Sequence, residues 1–422
     1  MSTDTADPYF NIFNAYRGSS RRGEEVVERQ LEDNLTRALA ITLSHTRGSE
    51  ACTGLLRTLG VSEPGLGDDL ICRLQVKNQE RDWPDPSTRR LAVITGTSPD
   101  GFAATDYSAR SGRADAVLIG GGFLVAVESK LGSQLVEEQL RNHCVSLGIP
   151  ASSPWHVTTW SQLARASRAG LRDPLPNGVA RFVLSQFEEY LRMNGFGGFV
   201  EEHFAFFALS GEKRATLTRE GIRRSLAELI GTIAADWGTT WRPDVGNIQA
   251  RNVVTFAALR PEGEGILPHL SVAIDAEGVE IFANIETQRS HSRLMRAWRR
   301  DPGACLDFLE RLGRQDTSER LLAPWRLRVL RRIPGKLPRE ILDCPDLDLS
   351  LNSLACLEKA TTLSLLEGTF ARRADEVSPE VKVSRTYHAS FVLAHADDLA
   401  GRLTNDAREL EPFFEWLGQP VR

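Results

Sequence analysis

Lysine is scarce in this chain: 422 residues hold six lysines against forty-five arginines. The cysteines are few and scattered, at positions 52, 72, 144, 305, 344 and 356. None forms a C-x-x-C pair, which excludes the zinc-ribbon and dithiol-redox patterns. Free thiols in a reducing, cytoplasmic setting are the expectation. No run of eighteen apolar residues occurs, so no membrane span is expected. MSTDTADPYF lacks a charged n-region followed by an apolar core, so no signal peptide is expected. There is no G-x-x-x-x-G-K-[ST], and Gly335-Lys336 lacks the upstream glycine, which excludes a P-loop ATPase. H-E-x-x-H and G-x-S-x-G are absent too. A net charge of −5 argues against a generally basic coat, while leaving room for a local basic groove. Arginine's fork of donors suits phosphates.

What is present centres on GRADAVLIGGGFLVAVESKLGSQLVEEQLRNH, residues 112–143. Residues 114–119 and 123–127 are apolar and rich in β-formers, and Gly120 to Gly122 separate them. Glycine tolerates the positive φ angles of tight hairpin turns, so a β-hairpin is expected. Alternation places Leu124, Ala126, Glu128 and Lys130 on one face. With a two-residue turn, Asp115 is expected opposite Ala126 and diagonal to Glu128, roughly 7–8 Å away. A slip of one residue would turn Asp115 to the other face.

Two carboxylates, Asp115 and Glu128, plus the backbone carbonyl of Ser129 suit a hard cation such as Mg²⁺ or Mn²⁺. Such an ion polarises a phosphoryl oxygen and lowers the pKa of a bound water. Lys130, two positions beyond the second acid, is placed to steady that water or the developing charge. Carboxylates gathered in an apolar hairpin repel unless a cation lies between them. Glu128 also ends a run of five apolar residues, where a charge is otherwise unwelcome.

These residues resemble the PD-(D/E)XK, or restriction-endonuclease-like, nuclease superfamily. Asp115 matches the motif aspartate, Glu128 the acidic residue and Lys130 the lysine; Ala114 stands where the family usually has proline. Gln139 and His143 resemble the Q-x-x-x-Y helix of the RecB-type branch, with His in place of Tyr. An upstream helix in this superfamily often carries a glutamate that faces the metal, and Glu32 in LEDNLTRAL is its counterpart. The E-x-N-x-T pattern there is similar to helices of bacterial defence-type nucleases. The resemblance covers about residues 24–210. It implies an α/β fold, with a mixed central sheet flanked by helices. It also implies roles: Glu32 supports a metal or its water, and Gln139 orients the site or contacts a phosphate.

Along the chain, residues 1–22 are expected to be an arm that docks through Tyr9, Phe10, Phe13 and Tyr16. Residues 23–242 are expected to form the nuclease domain. Helices are expected at 23–45, 50–59, 133–147, 160–167, 177–193 and 218–237, the last with Thr218 as N-cap. Strands are expected at 69–76, 90–95 and 155–159, and residues 204–209 fit a strand or a helix. The stretch WGTTWRPDVGN marks the domain boundary, after which 243–422 reads as an α+β domain. There a second hairpin is expected at 270–275 and 279–284, then helices at 292–299 and 303–313. A strand at 327–332, helix over 350–366, one or two strands in 381–392 and a closing helix at 397–417 complete the expectation. Regulatory, dimerising and target-sensing roles all fit this region. His156 and His203 are expected to be structural rather than ligands, and His388 and His395 lack a metal-ligand pattern.

The expectation is therefore a metal-dependent DNA endonuclease of antiphage defence or restriction. An ATPase or helicase encoded nearby would serve any need for strand separation, and a homodimer is allowed. The alternative is a catalytically silent module of the same fold that grips nucleic acid or a partner.

Overall fold

The computed structural model describes residues 12–13, 24–62, 68–76, 83–96, 102–103, 114–131, 135–150, 155–208, 216–246, 254–262, 267–314, 323–331, 347–370 and 379–421. The chain is mixed α/β and divides into two compact units, Met1–Gly197 and Gly198–Arg422. Among the described residues no helix is long and apolar enough to cross a membrane.

The first unit is built on a five-stranded sheet. Its strands are β1 (Ile71–Val76), β2 (Arg89–Thr95), β4 (Ala114–Gly120), β5 (Phe123–Lys130) and β7 (His156–Thr159). Two-residue strands β3 (Phe102–Ala103) and β6 (Leu135–Val136) pair apart from it. The order is β1-β4-β5-β2-β7. β1, β4 and β5 run antiparallel, whereas β2 and β7 run parallel to β5. The central strands β5 and β2 are apolar on both faces, as burial between two layers requires. β1, at the edge, keeps much of its length exposed.

Helices α1 (Glu24–Thr46), α2 (Glu50–Thr58), α4 (Trp160–Gly170) and α5 (Gly178–Met193) cover one face. Leu35, Leu39, Leu55, Trp160 and Phe187 there pack with Val125 and Val127 of β5. On the other face α3 (Glu137–Ser146) lays Leu140 and Cys144 against Leu124 and Ala126. The alternation of β5 thus sends Glu128 towards α3. Phe13 docks on α5, its ring edge-on to Phe187 at 6.2 Å. Tyr9, Phe10 and Tyr16 lie outside the described residues.

The second unit holds an antiparallel sheet of order β13-β12-β14-β11-β10-β9-β8. The strands are β8 (Arg242–Val245), β9 (Val254–Arg260), β10 (His269–Asp275), β11 (Gly278–Ile285), β12 (Arg326–Arg331), β13 (Leu347–Ser350) and β14 (Pro379–His388). One core joins this sheet to α6 (Glu201–Ala208), α7 (Thr216–Trp237), α8 (Gln288–Arg300), α9 (Pro302–Gly313) and the closing helix Leu399–Trp416.

Several sequence expectations shift. Of the two readings for 204–209, residues 204–208 take the helix, and Leu209 lies outside the described residues. Thr218 lies inside α7 rather than capping it. The 381–392 stretch splits into β14 and a short helix, Ala389–Ala394. The sequence sets the domain boundary at 242/243, whereas the two compact units part at Gly197/Gly198. The reason is packing: Phe199, Phe204, Ile230 and Trp237 all bury in the core of the second unit.

Candidate active site

The hairpin of β4 and β5 turns through Gly121 and Gly122, with φ of 51° and 80°. Both values are positive, the requirement that glycine meets. Asp69 caps the turn, its carboxylate accepting the Gly121 N–H at 2.8 and 3.0 Å. The ladder runs from Gly120↔Phe123 to Ala116↔Val127. Val117, not Asp115, therefore faces Ala126, and the same register carries Asp115 alongside Glu128. The expected diagonal becomes a juxtaposition because Gly121 and Gly122 form the turn, leaving Gly120 in the strand.

At Asp115 the regular ladder gives way to side-chain bonding. The Ser129 N–H donates to Asp115 Oδ2 at 2.8 Å. On the opposite side β1 pairs Leu74 with Ala116 and Val76 with Ala114. Gln75 falls between them with φ of 59°, the one non-glycine residue with positive φ among those described. Left-handed backbone at a non-glycine residue costs on the order of 1–3 kcal/mol and persists only where its surroundings impose it. Distortion is thus concentrated beside the motif aspartate.

Glu128 is 3 % exposed. Its Oε1 lies 3.0 Å from Lys130 Nζ and accepts from Gln139 Nε2 at 3.1 Å. Among the described residues its Oε2 has no hydrogen bond, and His143 Nε2 lies 3.5 Å away. Gln139 and His143, one helical turn apart on α3, reach the same carboxylate. Glu32 reaches in from α1, its Oε1 accepting the Leu131 N–H at 2.7 Å. The five residues singled out in the sequence meet at the C-terminal end of β5.

The electrostatics are lopsided. Burial, and then the charge of Glu128, push the Asp115 carboxyl up to about 7, against the pull of the Ser129 N–H and Lys130. Burial also raises Glu128, opposed by Lys130. For Lys130 burial favours the neutral amine, but Glu128, Glu32 and Asp115 outweigh it and raise its pKa. His143 is driven towards its neutral form by burial and by Lys130. One ammonium is set against three carboxylates.

A cation fits this donor set. Two carboxylates and the Ser129 carbonyl are hard oxygen ligands, and Glu128 Oε2 is a buried oxygen lacking a donor. Among the described residues no group of three His, Cys, Asp or Glu side chains is arranged around one ion position. The set is therefore two acids and a carbonyl, with Glu32 engaged on the backbone.

Two contributors escaped the sequence reading. Asp33, next to Glu32, adds negative charge felt by Asp115. Asp69 fixes the turn, although the sequence reading makes it the first residue of a strand. Of the two histidines expected to be structural, His156 is bonded to the Thr58 carbonyl at 3.1 Å and His203 is fully buried. No protein-family model and no curated protein matches the chain.

Proposed function

We propose that the chain is a Mg²⁺- or Mn²⁺-dependent DNA endonuclease of the PD-(D/E)XK type, serving antiphage defence or restriction in the cytoplasm. One observation carries this reading. Two carboxylates, one buried and one half-buried, and an ammonium converge at the end of a hairpin, with one Glu128 oxygen lacking a hydrogen-bond donor among the described residues. A restriction-endonuclease-like core agrees with a mixed sheet whose faces are both covered by helices.

Asp115, Glu128 and the Ser129 carbonyl would hold the ion. When bound, it supplies Lewis-acid polarisation of a phosphoryl oxygen and a more acidic water. The chain's own residues do the rest. Lys130, kept protonated by three neighbouring carboxylates, serves as a fixed positive charge for the developing phosphorane oxygen rather than as a base. Gln139 fixes the rotamer of Glu128, and Glu32 anchors the backbone just past Lys130. The reaction adds water to phosphorus and breaks one P–O ester bond.

Plasmid and single-stranded substrates incubated with Mg²⁺ or Mn²⁺ test this. Asp115→Ala and Lys130→Ala are each expected to lower cleavage by at least about 10³-fold, with melting curves showing a folded chain. Full activity in both variants rejects the assignment. A silent binding module is the second reading. It is favoured by Lys130 already pairing with Glu128 and by the lack of a three-acid group among the described residues. It predicts no metal-dependent cutting by the unaltered chain.

A further inference from the structure

Helix α8, QRSHSRLMRAWRR, carries five arginines in 13 residues and no acid. This occurs in a chain whose acids outnumber its basic residues. Arg289, Arg293, Arg296 and Arg300 recur at spacings of four, three and four, so they line one flank of the helix over about 16 Å. Arg289, Arg296, Arg299 and Arg300 are exposed and Arg293 is half-buried.

Helix stability does not account for the row. Cations in the last turn, Arg299 and Arg300, suit the negative end of the helix dipole, but Arg289 stands in the first turn, where the dipole disfavours a cation. Nor are Arg293, Arg296, Arg299 and Arg300 neutralised. Arg293 donates to Gln419 Oε1 at 2.7 Å, Arg300 to the Trp416 carbonyl, and Arg296 only weakly to the Ser292 carbonyl at 3.4 Å. All three acceptors are uncharged. Among the described residues no carboxylate pairs with Arg293, Arg296, Arg299 or Arg300. Elsewhere in the same unit surface arginines do find acids: Arg260 with Asp244, Arg314 with Glu310, Arg326 with Asp348 and Arg402 with Asp398.

The opposite side of α8 narrows the choice of partner. Leu294, Ala297 and Trp298 are buried, and the Trp298 ring meets Phe370 at 5.3 Å. No apolar face is left to enter a lipid surface. No aromatic stands among the exposed arginines to stack unpaired bases. A straight row of guanidinium forks is complementary to the regular phosphates of a duplex.

We propose that α8 is a duplex-DNA docking surface that grips the phosphate backbone through Arg296, Arg299 and Arg300. This rests on the nuclease reading for its substrate class, and it assigns the second unit the task of holding DNA. The contacts are to the backbone, so binding is independent of sequence.

The test uses the full chain carrying Asp115→Asn in EDTA, with a labelled short duplex read by fluorescence anisotropy between about 50 and 200 mM salt. Arg296→Glu/Arg299→Glu is expected to weaken duplex binding by tenfold or more, and to lower the log–log salt slope by about two. Arg296→Lys/Arg299→Lys is expected to keep the slope, which separates lost charge from lost fold. Unchanged affinity and slope in the Glu variant overturn the proposal. So does a parent chain that fails to bind duplex, or that binds single strands or polyglutamate more tightly. Metal-dependent cutting by the unaltered chain is scored in parallel. Binding through the arginines without cutting supports the docking surface and rejects the nuclease. Cutting with an unaffected Glu variant does the reverse.

Discussion

Each unit buries a carboxylate beside a cation, Glu128 in the first and Asp406 in the second, and the two clusters are finished differently. In the second unit Asp406 is saturated. Its Oδ1 accepts from Arg385 at 2.9 Å and its Oδ2 from the Tyr387 hydroxyl at 2.6 Å. The Arg385 guanidinium also lies 4.9 Å from the Trp325 ring centre. In the first unit Glu128 Oε1 takes two donors while Oε2 takes none, and a second acid, Asp115, lies alongside. Buried polar groups are normally all bonded, because an unbonded one costs about 1–3 kcal/mol. A carboxylate with both oxygens bonded serves stability, even though Arg385 Nε beside it has no partner among the described residues. One with an unbonded oxygen and excess charge of one sign suits the proposed ion.

The largest effect should come from opening the saturated cluster. Asp406→Ala strands Arg385 and is expected to cost about 3–5 kcal/mol, read by urea unfolding. An effect under about 1 kcal/mol would erase the contrast.

The opposite sign is expected at the unsaturated cluster. Asp115 titrates near 7 in the folded chain against 3.8 for the free side chain, so the folded state binds the proton more tightly. Its contribution to stability is present below about pH 4, declines as pH rises to about 7, and is flat above. Asp115→Asn should therefore stabilise the metal-free chain at pH 8 by about 1–3 kcal/mol and flatten that slope. Mg²⁺ should raise the melting temperature of the unaltered chain at pH 8 and leave the Asn variant unmoved. A smaller change is expected at the turn: Asp69→Ala removes the cap on Gly121 and should cost about 1 kcal/mol.

Much of this contrast could be read in the sequence, unevenly. The hairpin was legible because paired glycines and period-two apolar residues are local signals. Its register was not, since counting from a glycine triplet leaves open which two residues form the turn. Gly120 belongs to the strand, and that choice moved Asp115 from Ala126 to Glu128. The position of Glu32 was legible only through resemblance, as no local pattern tells a helix glutamate what lies beyond its reach. WGTTWRPDVGN has the composition of a linker, yet Trp241 is buried, its ring 4.9 Å from that of Phe414. Such long-range packing hides from composition. Asp406 drew no notice because its partners stand about twenty positions upstream, on a strand.

The bond from the Leu131 N–H to Glu32 joins positions 99 apart in the chain. Closing so long a loop is entropically unfavourable until neighbouring contacts share the penalty. The clasp therefore forms only once α1 has settled on the sheet, and a nascent chain that has made its ribbon still lacks a finished acidic pocket.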